Sequence, residues 1–185
     1  SKESYAHLVV EILLPEQILG SIDVRSVLKS GGVKLPTLLT ISGHPGSGTS
    51  TLVDGICQEM SWKMLNGGQV FRDMATSHGM TLEQFGQYCM ADDSVDKKLD
   101  EMLSSVMLSD NSPEIIESRL AGWWAFNHQL DCPRIWIEVS EGVRADRVVN
   151  REGGEHSEQL ALIRERMEYD SLRYNKLYGI DINSK

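Results

Sequence analysis

Apolar residues follow two patterns along the chain, short continuous runs and helical stripes. Residues 37–42 (TLLTIS) form an uncharged run, rich in β-branched residues, that is typical of a buried strand in a parallel sheet, and glycines follow it at once. Residues 51–60 then carry apolar side chains along a single helical stripe. That stripe consists of Leu52, Val53, Ile56 and Cys57. A strand, a glycine-rich turn and a helix together open a βαβ unit.

Two later runs repeat the strand pattern. They are residues 114–117 (EIIE) and residues 134–139 (RIWIEV), with helical patterns between and after them. Alternation of strands and helices predicts a doubly wound α/β fold, in which a parallel sheet is flanked by helices and ligands bind beyond the carboxyl ends of the strands.

Residues 1–36 are predicted to form a separate N-terminal extension. Their apolar positions have helical spacing, Pro15 stops or restarts the helix, and residues 30–32 (SGG) give a flexible joint. The apolar positions are Leu8, Val9, Ile12 and Leu13. Two interpretations stay open for this segment, a docking segment for a partner and a helix packed on the core.

Composition narrows the class of protein. A chain of 185 residues with 41% hydrophobic and 24% charged residues is expected to form one globular domain. Its net charge of −9 argues against binding to a nucleic acid polymer. Three cysteines without metal-ligand spacing favour a reducing, cytoplasmic setting. No apolar run approaches the roughly 20 residues of a membrane span, so we expect no membrane association.

The turn after the first strand carries the candidate chemistry. Residues 43–50 (GHPGSGTS) match the phosphate-binding pattern GxxxxGK[ST], except that Thr49 replaces the lysine. Glycine N–H groups and the helix N-terminus can hold phosphates without a charged side chain, and the Ser50 hydroxyl is placed to ligate Mg²⁺. The alternative is a glycine-rich turn without a ligand. The strand before it and the helix after it favour phosphate binding.

The absent lysine removes a positive charge from a site that depends on electrostatics. Six of the ten arginines lie within 30 residues and are candidates to replace it: Arg144, Arg147, Arg151, Arg164, Arg166 and Arg173. Helical spacing places the first three on one face and Arg166, Asp170 and Arg173 on another, with a helix break at Gly153 and Gly154. This pattern predicts a helical lid that closes over phosphates. Seven interleaved acidic residues leave a solvated, salt-bridged helix pair as the alternative.

Taken together, these segments resemble the archaeal-type cytidylate kinases of the P-loop nucleoside monophosphate kinase group. The likeness runs from about residue 38 to residue 182. The matching runs are 43–51 (GHPGSGTST), 67–75 (GGQVFRDMA), 78–85 (HGMTLEQF), 117–123 (ESRLAGW), 143–147 (VRADR), 173–174 (RY) and 177–182 (LYGIDI). Their order and spacing are more specific than the phosphate loop alone. The family commonly carries threonine at the position of Thr49, which makes the missing lysine a family trait.

The resemblance implies a fold of the P-loop NTPase type with a helical lid, and transfer of the γ-phosphoryl group of ATP to CMP or dCMP with Mg²⁺. The implied ATP-binding residues are Gly43, Gly46, Ser47, Gly48, Thr49, Ser50 and Thr51, with Ser50 also ligating the metal. The implied acceptor-binding residues are Arg72, Arg119, Asp170 and Arg173. The implied catalytic residues are Arg119, Arg147, Arg151 and Arg166, of which Arg147 and Arg151 lie where the lid closes on the donor. For Arg72, a surface ion pair with Asp73 is the alternative.

Three departures from the family bear on function. Ser118 replaces a glycine beside Arg119, and residues 101–103 (EML) replace two arginines and a glutamine on the acceptor side. The family also continues past Ile182 with another strand and a closing helix, so we expect residues 37–185 to form a domain that lacks both. A kinase for another small acceptor such as UMP, and a non-catalytic nucleotide-binding or scaffolding protein, are the alternatives. We expect nucleotides as the partners and a monomeric, cytoplasmic protein.

Overall fold

The structure, a computed structural model, describes residues 9–13 and 37–183. Within these ranges five strands form one sheet in the order β1-β5-β2-β4-β3. The strands are β1 (Val9–Leu13), β2 (Leu39–Gly43), β3 (Met64–Asn66), β4 (Ile115–Glu117) and β5 (Arg134–Glu138). Strands β2 to β5 are parallel, and β1 runs antiparallel to β5. The prediction of a parallel α/β sheet is confirmed.

Helices cover the sheet and connect its parallel strands. In the described part of the chain they are α1 (Thr49–Met60), α2 (Gly67–Ser77), α3 (Leu82–Ala91), α4 (Asp93–Met107), α5 (Ala121–Asn127), α6 (Glu141–Glu152) and α7 (His156–Tyr178). Because β2, β4 and β5 are parallel neighbours, the loops that follow them gather at one edge of the sheet. This edge is where the predicted site residues should meet.

The central strands are buried on both faces, which explains their uncharged sequences. On one face Ile41 and Ile115 pack against Val53 of α1. On the other face Ile116 packs with Ala125 of α5. Continuous apolar runs are typical of parallel strands enclosed in this way.

The helical prediction for the segment around Val9 is wrong, because this segment forms strand β1. Its residues pair antiparallel with β5, from Val9 opposite Glu138 to Leu13 opposite Arg134. The sequence of residues 9–13 (VVEIL) fits a helical stripe as well as a strand. Pairing with the edge of β5 favours the strand. The predicted stop at Pro15 and the joint at residues 30–32 lie outside the described residues.

The two predicted arginine-bearing helices are α6 and α7, and they form a hairpin whose break falls at Gly153 and Gly154. Ala145 and Val148 of α6 pack against Ile163 of α7, so the hairpin has an apolar core of its own. This packing explains why an arginine-rich, strongly polar stretch still forms two ordered helices.

Helix α7 continues from this hairpin to helix α4. Its 23 residues span about 34 Å. Near its C-terminal end the Lys176 ammonium lies 2.8 Å from the Asp93 carboxylate, and the Tyr178 hydroxyl donates to Asp100 at 2.6 Å. One helix therefore contacts both the α6 hairpin and helix α4.

Candidate active site

The phosphate loop joins β2 to α1, and two glycines in left-handed conformation shape it. Gly46 has φ 80° and Gly48 has φ 86°. A Cβ atom at Gly46 would lie 2.9 Å from the Arg144 carbonyl oxygen, and one at Gly48 would lie 3.0 Å from Arg147 Nη1. Gly46 therefore requires glycine for both conformation and space, whereas Gly48 requires it for conformation, since the Arg147 side chain can move aside. The loop leaves its backbone uncovered at the N-terminus of α1, as phosphate binding requires.

Glu117 lies beside this loop, and the sequence analysis did not include it among the site residues. Thr49 Oγ1 donates to Glu117 Oε1 at 2.5 Å, Ser50 Oγ donates to the same oxygen at 3.2 Å, and Asn66 Nδ2 donates to Oε2 at 2.5 Å. Glu117 ends β4, the parallel neighbour of β2, and is 8% exposed. An acidic residue at the end of a strand next to the loop strand is the sequence signal that would have identified it.

The oxygen atoms around Glu117 fit a magnesium ion. The Ser50 hydroxyl lies 3.2 and 3.3 Å from the two carboxylate oxygens of Glu117, and a hard divalent cation prefers such oxygen ligands. Among the residues that the structure describes, no three His, Cys, Asp or Glu side chains are grouped to hold a metal. One hydroxyl and one carboxylate are the one or two protein ligands that Mg²⁺ usually takes, with phosphates and water completing its shell.

Two arginines of α6 reach the phosphate loop in different ways. The exposed Arg147 donates from Nη1 to the Ser47 carbonyl oxygen at 2.6 Å. Arg144 is only 2% exposed, so its guanidinium lies beneath the loop. Its neighbours there are the carbonyl oxygens of Val139 at 3.0 Å and Pro45 at 3.2 Å and the sulfur of Met167 at 3.0 Å. Arg144 therefore fastens the loop to β5 and α7, while Arg147 is placed to meet a ligand.

Two other arginines of the hairpin form exposed ion pairs away from the loop. Arg151 lies 2.5 Å from Glu152, and Arg164 lies 2.8 Å from Glu141. Exposed pairs of this kind add little stability. The structure does not bring Arg151 to the phosphate loop, although the resemblance implied a place on the donor side. Arg151 and Arg164 thus form the exposed ion pairs of the alternative prediction, whereas Arg147 contacts the phosphate loop.

A second cationic group forms where Arg119, just after β4, meets one face of α7. Arg119 Nη1 lies 2.9 Å from Asp170 Oδ2, and Arg173 Nη2 lies 3.6 Å from Asp170 Oδ1. The side chains of Arg119 and Asp170 are only 15% and 10% exposed. Arg166 adjoins them, where Arg119 and Arg173 repel its guanidinium and Asp170 attracts it. Three guanidinium groups around one carboxylate keep a positive charge that suits a phosphate.

Arg72 lies on α2, and its guanidinium contacts Gln69 where an ion pair with Asp73 was the predicted alternative. Its Nε and Nη2 donate to Gln69 Oε1 at 3.1 and 2.9 Å, while Gln69 Nε2 donates to Asp73 at 2.8 Å. Gln69 therefore separates Arg72 from Asp73, and the predicted surface ion pair is replaced by this amide bridge. The exposed guanidinium lies over Gly68, at the first turn of α2.

Ser118 is accommodated by a glycine on the neighbouring connection. A Cβ atom at Gly67 would lie 2.8 Å from the Cβ atom of Ser118. The Ser118 N–H donates to the Ile41 carbonyl oxygen at 3.2 Å, which keeps the chain tied to β2 just before Arg119. The side chain that departs from the family pattern is therefore directed at Gly67.

No helix in the described ranges has the length and apolar character needed to cross a membrane. Comparison with protein families matches residues 39–170 to a family model described as AAA domain.

Curated proteins extend this likeness over most of the chain. The cytidylate kinase of Archaeoglobus fulgidus is 35% identical over 146 residues, which cover 79% of each chain. The cytidylate kinase of Pyrococcus horikoshii is 39% identical over 146 residues, covering 79% of this chain and 73% of its own. That of Haloquadratum walsbyi is 37% identical and is covered over 74% of its length.

Solved structures share the fold at low identity. An uncharacterized protein from Eubacterium ventriosum has a TM-score of 0.59 at 11% identity, covering 80% of this chain and 81% of its own. A protein from Chloroflexus aurantiacus has a TM-score of 0.51 at 21% identity, covering 73% of this chain and 78% of its own. At these identities the two structures support the architecture alone.

Proposed function

Because this chain belongs to the cytidylate kinase family, we propose that it transfers the γ-phosphoryl group of ATP to CMP or dCMP, giving ADP and the nucleoside diphosphate. The observation that carries this proposal is that the phosphate loop and the cationic group of Arg119, Arg166 and Arg173 lie at one edge of the sheet. The phosphate loop follows β2, and the Arg119 cluster follows its parallel neighbour β4. A phosphoryl transfer enzyme needs such a pair of sites, one for each substrate.

On the donor side, the loop at residues 43–51 would hold the ATP phosphates. Ser50 and Glu117 would hold Mg²⁺, which when bound neutralises charge on the β- and γ-phosphates. Arg147 would supply the positive charge that Thr49 lacks, because its guanidinium already lies against the loop at Ser47.

On the acceptor side, Arg119 and Arg173 would hold the phosphate of the nucleoside monophosphate. The Asp170 carboxylate forms an ion pair with each guanidinium group, and Arg166 adds charge beside them. The acceptor phosphate is itself an anionic nucleophile, so the reaction needs no general base. Holding two polyanions in line is most of the catalytic task. Arg72 would reach this phosphate from α2 by leaving Gln69.

The α6 and α7 hairpin would act as the lid. Closing it over the loop would exclude water and so suppress ATP hydrolysis. Arg151 would meet the donor only in that closed state, because its present partner is Glu152. The monomeric state and the cytoplasmic location stay predictions.

The test is an assay of ADP formation with ATP and Mg²⁺, run with CMP, dCMP, UMP, AMP and no acceptor. We expect turnover that depends on CMP or dCMP. Turnover with UMP alone would assign a different acceptor. Stabilisation of the fold by ATP without product from any acceptor would favour the non-catalytic alternative.

A further inference from the structure

His44, the second residue of the phosphate loop, lies at the boundary between the two phosphate-directed groups. It is 9% exposed, and its ring packs edge-on against Trp136 of β5, with centroids 5.0 Å apart and an interplanar angle of 89°. Trp136 in turn packs edge-on against Trp123, which follows Arg119 in the chain. The imidazole is therefore held in one place by aromatic neighbours.

Charged groups of both signs surround this ring. Burial, then Arg119 and Arg144, lower the pKa of His44 to about 4, and Glu138 and Asp170 oppose this shift only in part. The imidazole is thus neutral near pH 7, with one N–H donor and one acceptor nitrogen. None of the described residues forms a hydrogen bond with this side chain. A polar ring that is this enclosed gains by finding a partner, and substrate is the partner that the site admits.

We propose that His44 contacts the substrate, donating a hydrogen bond from its imidazole N–H to a phosphate oxygen of the acceptor. The inference rests on the proposed function and names a specific contact within it. The position supports the acceptor because His44 and Arg119 follow neighbouring parallel strands at the same edge of the sheet, with Ile41 of β2 opposite Glu117 of β4. A neutral donor also adds a hydrogen bond without repelling Arg119.

Two substitutions separate hydrogen bonding from packing. His44→Gln keeps an N–H donor of similar reach but loses the ring, whereas His44→Phe keeps the ring on Trp136 but loses the donor. We expect His44→Phe to lower kcat/KM for CMP by roughly 10- to 100-fold, and His44→Gln to stay within about 5-fold of wild type. The ratio of wild-type to His44→Gln activity should stay constant between pH 6 and 9.

The matched control is His128→Phe, an exposed position after α5, which should leave activity unchanged. A His44→Phe variant more active than His44→Gln would mean that the ring serves only for packing, and would overturn the proposal. If His44→Phe does not fold, His44→Leu serves as the second variant without a donor.

Calorimetric titration with CMP keeps the two proposals apart. If the wild-type protein forms no CDP, the proposed kinase function fails, and CMP affinity then decides the role of His44. Affinity at least 10-fold weaker for the donor-free variant than for His44→Gln supports the contact. Equal affinities, or no CMP binding by the wild type, overturn it.

Discussion

Thr49 stands where the phosphate-loop pattern carries lysine, and its hydroxyl donates to Glu117. The nearest cation on the loop is Arg147, 2.6 Å from the Ser47 carbonyl oxygen. Replacing Arg147 with alanine should lower kcat/KM by about 100- to 1,000-fold, because one charge that stabilises the transferred phosphoryl group is removed. Thr49→Lys in the Arg147→Ala background should restore part of the loss.

Steady-state kinetics of Arg147→Ala, Thr49→Lys and the double variant measure whether a lysine at position 49 can replace Arg147. Arg164→Ala removes an arginine from the same hairpin, at its exposed pair with Glu141, and should change kcat/KM little. A double variant that folds but is no more active than Arg147→Ala would mean that Arg147 does not replace the lysine.

Arg119 tests the acceptor side in the same way. Arg119→Ala should reduce turnover by about 100-fold or more while lowering the thermal midpoint modestly, because Arg173 remains beside Asp170. Arg119→Lys should recover little of the turnover, since an ammonium does not reproduce the two-pronged guanidinium contact. Near-normal turnover in Arg119→Ala would remove Arg119 from the acceptor site.

His44 gives the fold a specific dependence on acid. Its pKa falls from 6.5 to about 4 on folding, so below pH 6.5 the unfolded chain binds a proton that the folded chain does not. Stability is therefore unaffected by this group above pH 6.5 and is lost as the pH falls from 6.5 to about 4, by up to about 3 kcal/mol.

Urea unfolding of wild type and His44→Phe at several pH values isolates this effect. The difference in unfolding free energy should be constant above pH 6.5 and should shift against the wild type below it. A difference in unfolding free energy that stays constant below pH 6.5 as well would show that His44 is protonated alike in the folded and unfolded states.

Local sequence pattern predicted the shape of the loop and the faces of the helices, and it failed where burial decides. The loop glycines and the α7 face with Asp170 and Arg173 could be predicted, because turn chemistry and helical spacing are local. Arg144 and Arg147 share one helical face, yet Arg144 lies beneath the loop and Arg147 on its surface. Glu117 was recognisable as a strand end, but its contact with Thr49 spans 68 positions of sequence.

At the level of elements, the β3 to α2 connection and the segment after β4 are fitted to each other. Gly67→Ala should destabilise the fold by about 1–3 kcal/mol, because the new methyl group would meet the Ser118 Cβ at 2.8 Å. Adding Ser118→Gly should recover most of that loss. Urea unfolding of wild type, Gly67→Ala, Ser118→Gly and the double variant gives the coupling free energy between the two positions. The control is Gly86→Ala on α3, where nothing lies within 4 Å of the new methyl group.

Additive effects in this cycle would mean that Ser118 and Gly67 do not constrain each other. A Cβ atom at position 67 would also lie 3.2 Å from Leu103 Cδ1. We therefore expect the double variant to keep part of the loss in stability.

Element prediction succeeded for the inner strands and for the helices, and failed for β1 and β3, which form the two edges of the sheet. Helix α1 has a single apolar stripe, the helical spacing of arginines indicates α6 and α7, and the comparisons confirm the family resemblance that their motifs carry. Strand β1 has five residues and β3 has three, too few to separate period 2 from period 3.6. Their state is set by the neighbouring strand, which is a tertiary contact and not a local one.

At the scale of the whole molecule, β1 covers the outer edge of β5 through five residue pairs. Deleting residues 1–36 should lower the thermal midpoint by about 5 °C or more and promote self-association, because β5 would present unpaired backbone groups. Calorimetry and light scattering measure both effects. Deleting residues 1–8 alone keeps strand β1 and should change neither the thermal midpoint nor self-association. An unchanged midpoint after deletion of residues 1–36 would show that pairing of β1 with β5 adds no stability.

Helix α7 has a consequence for how the two substrates bind. It carries Asp170 and Arg173 at the proposed acceptor site, packs on the helix that holds Arg147 at the proposed donor loop, and reaches α4 at Lys176. A helix shared by both proposed sites gives a structural route for coupling between their occupancies. Whatever factor CMP imposes on the affinity for ATP, ATP must impose on the affinity for CMP.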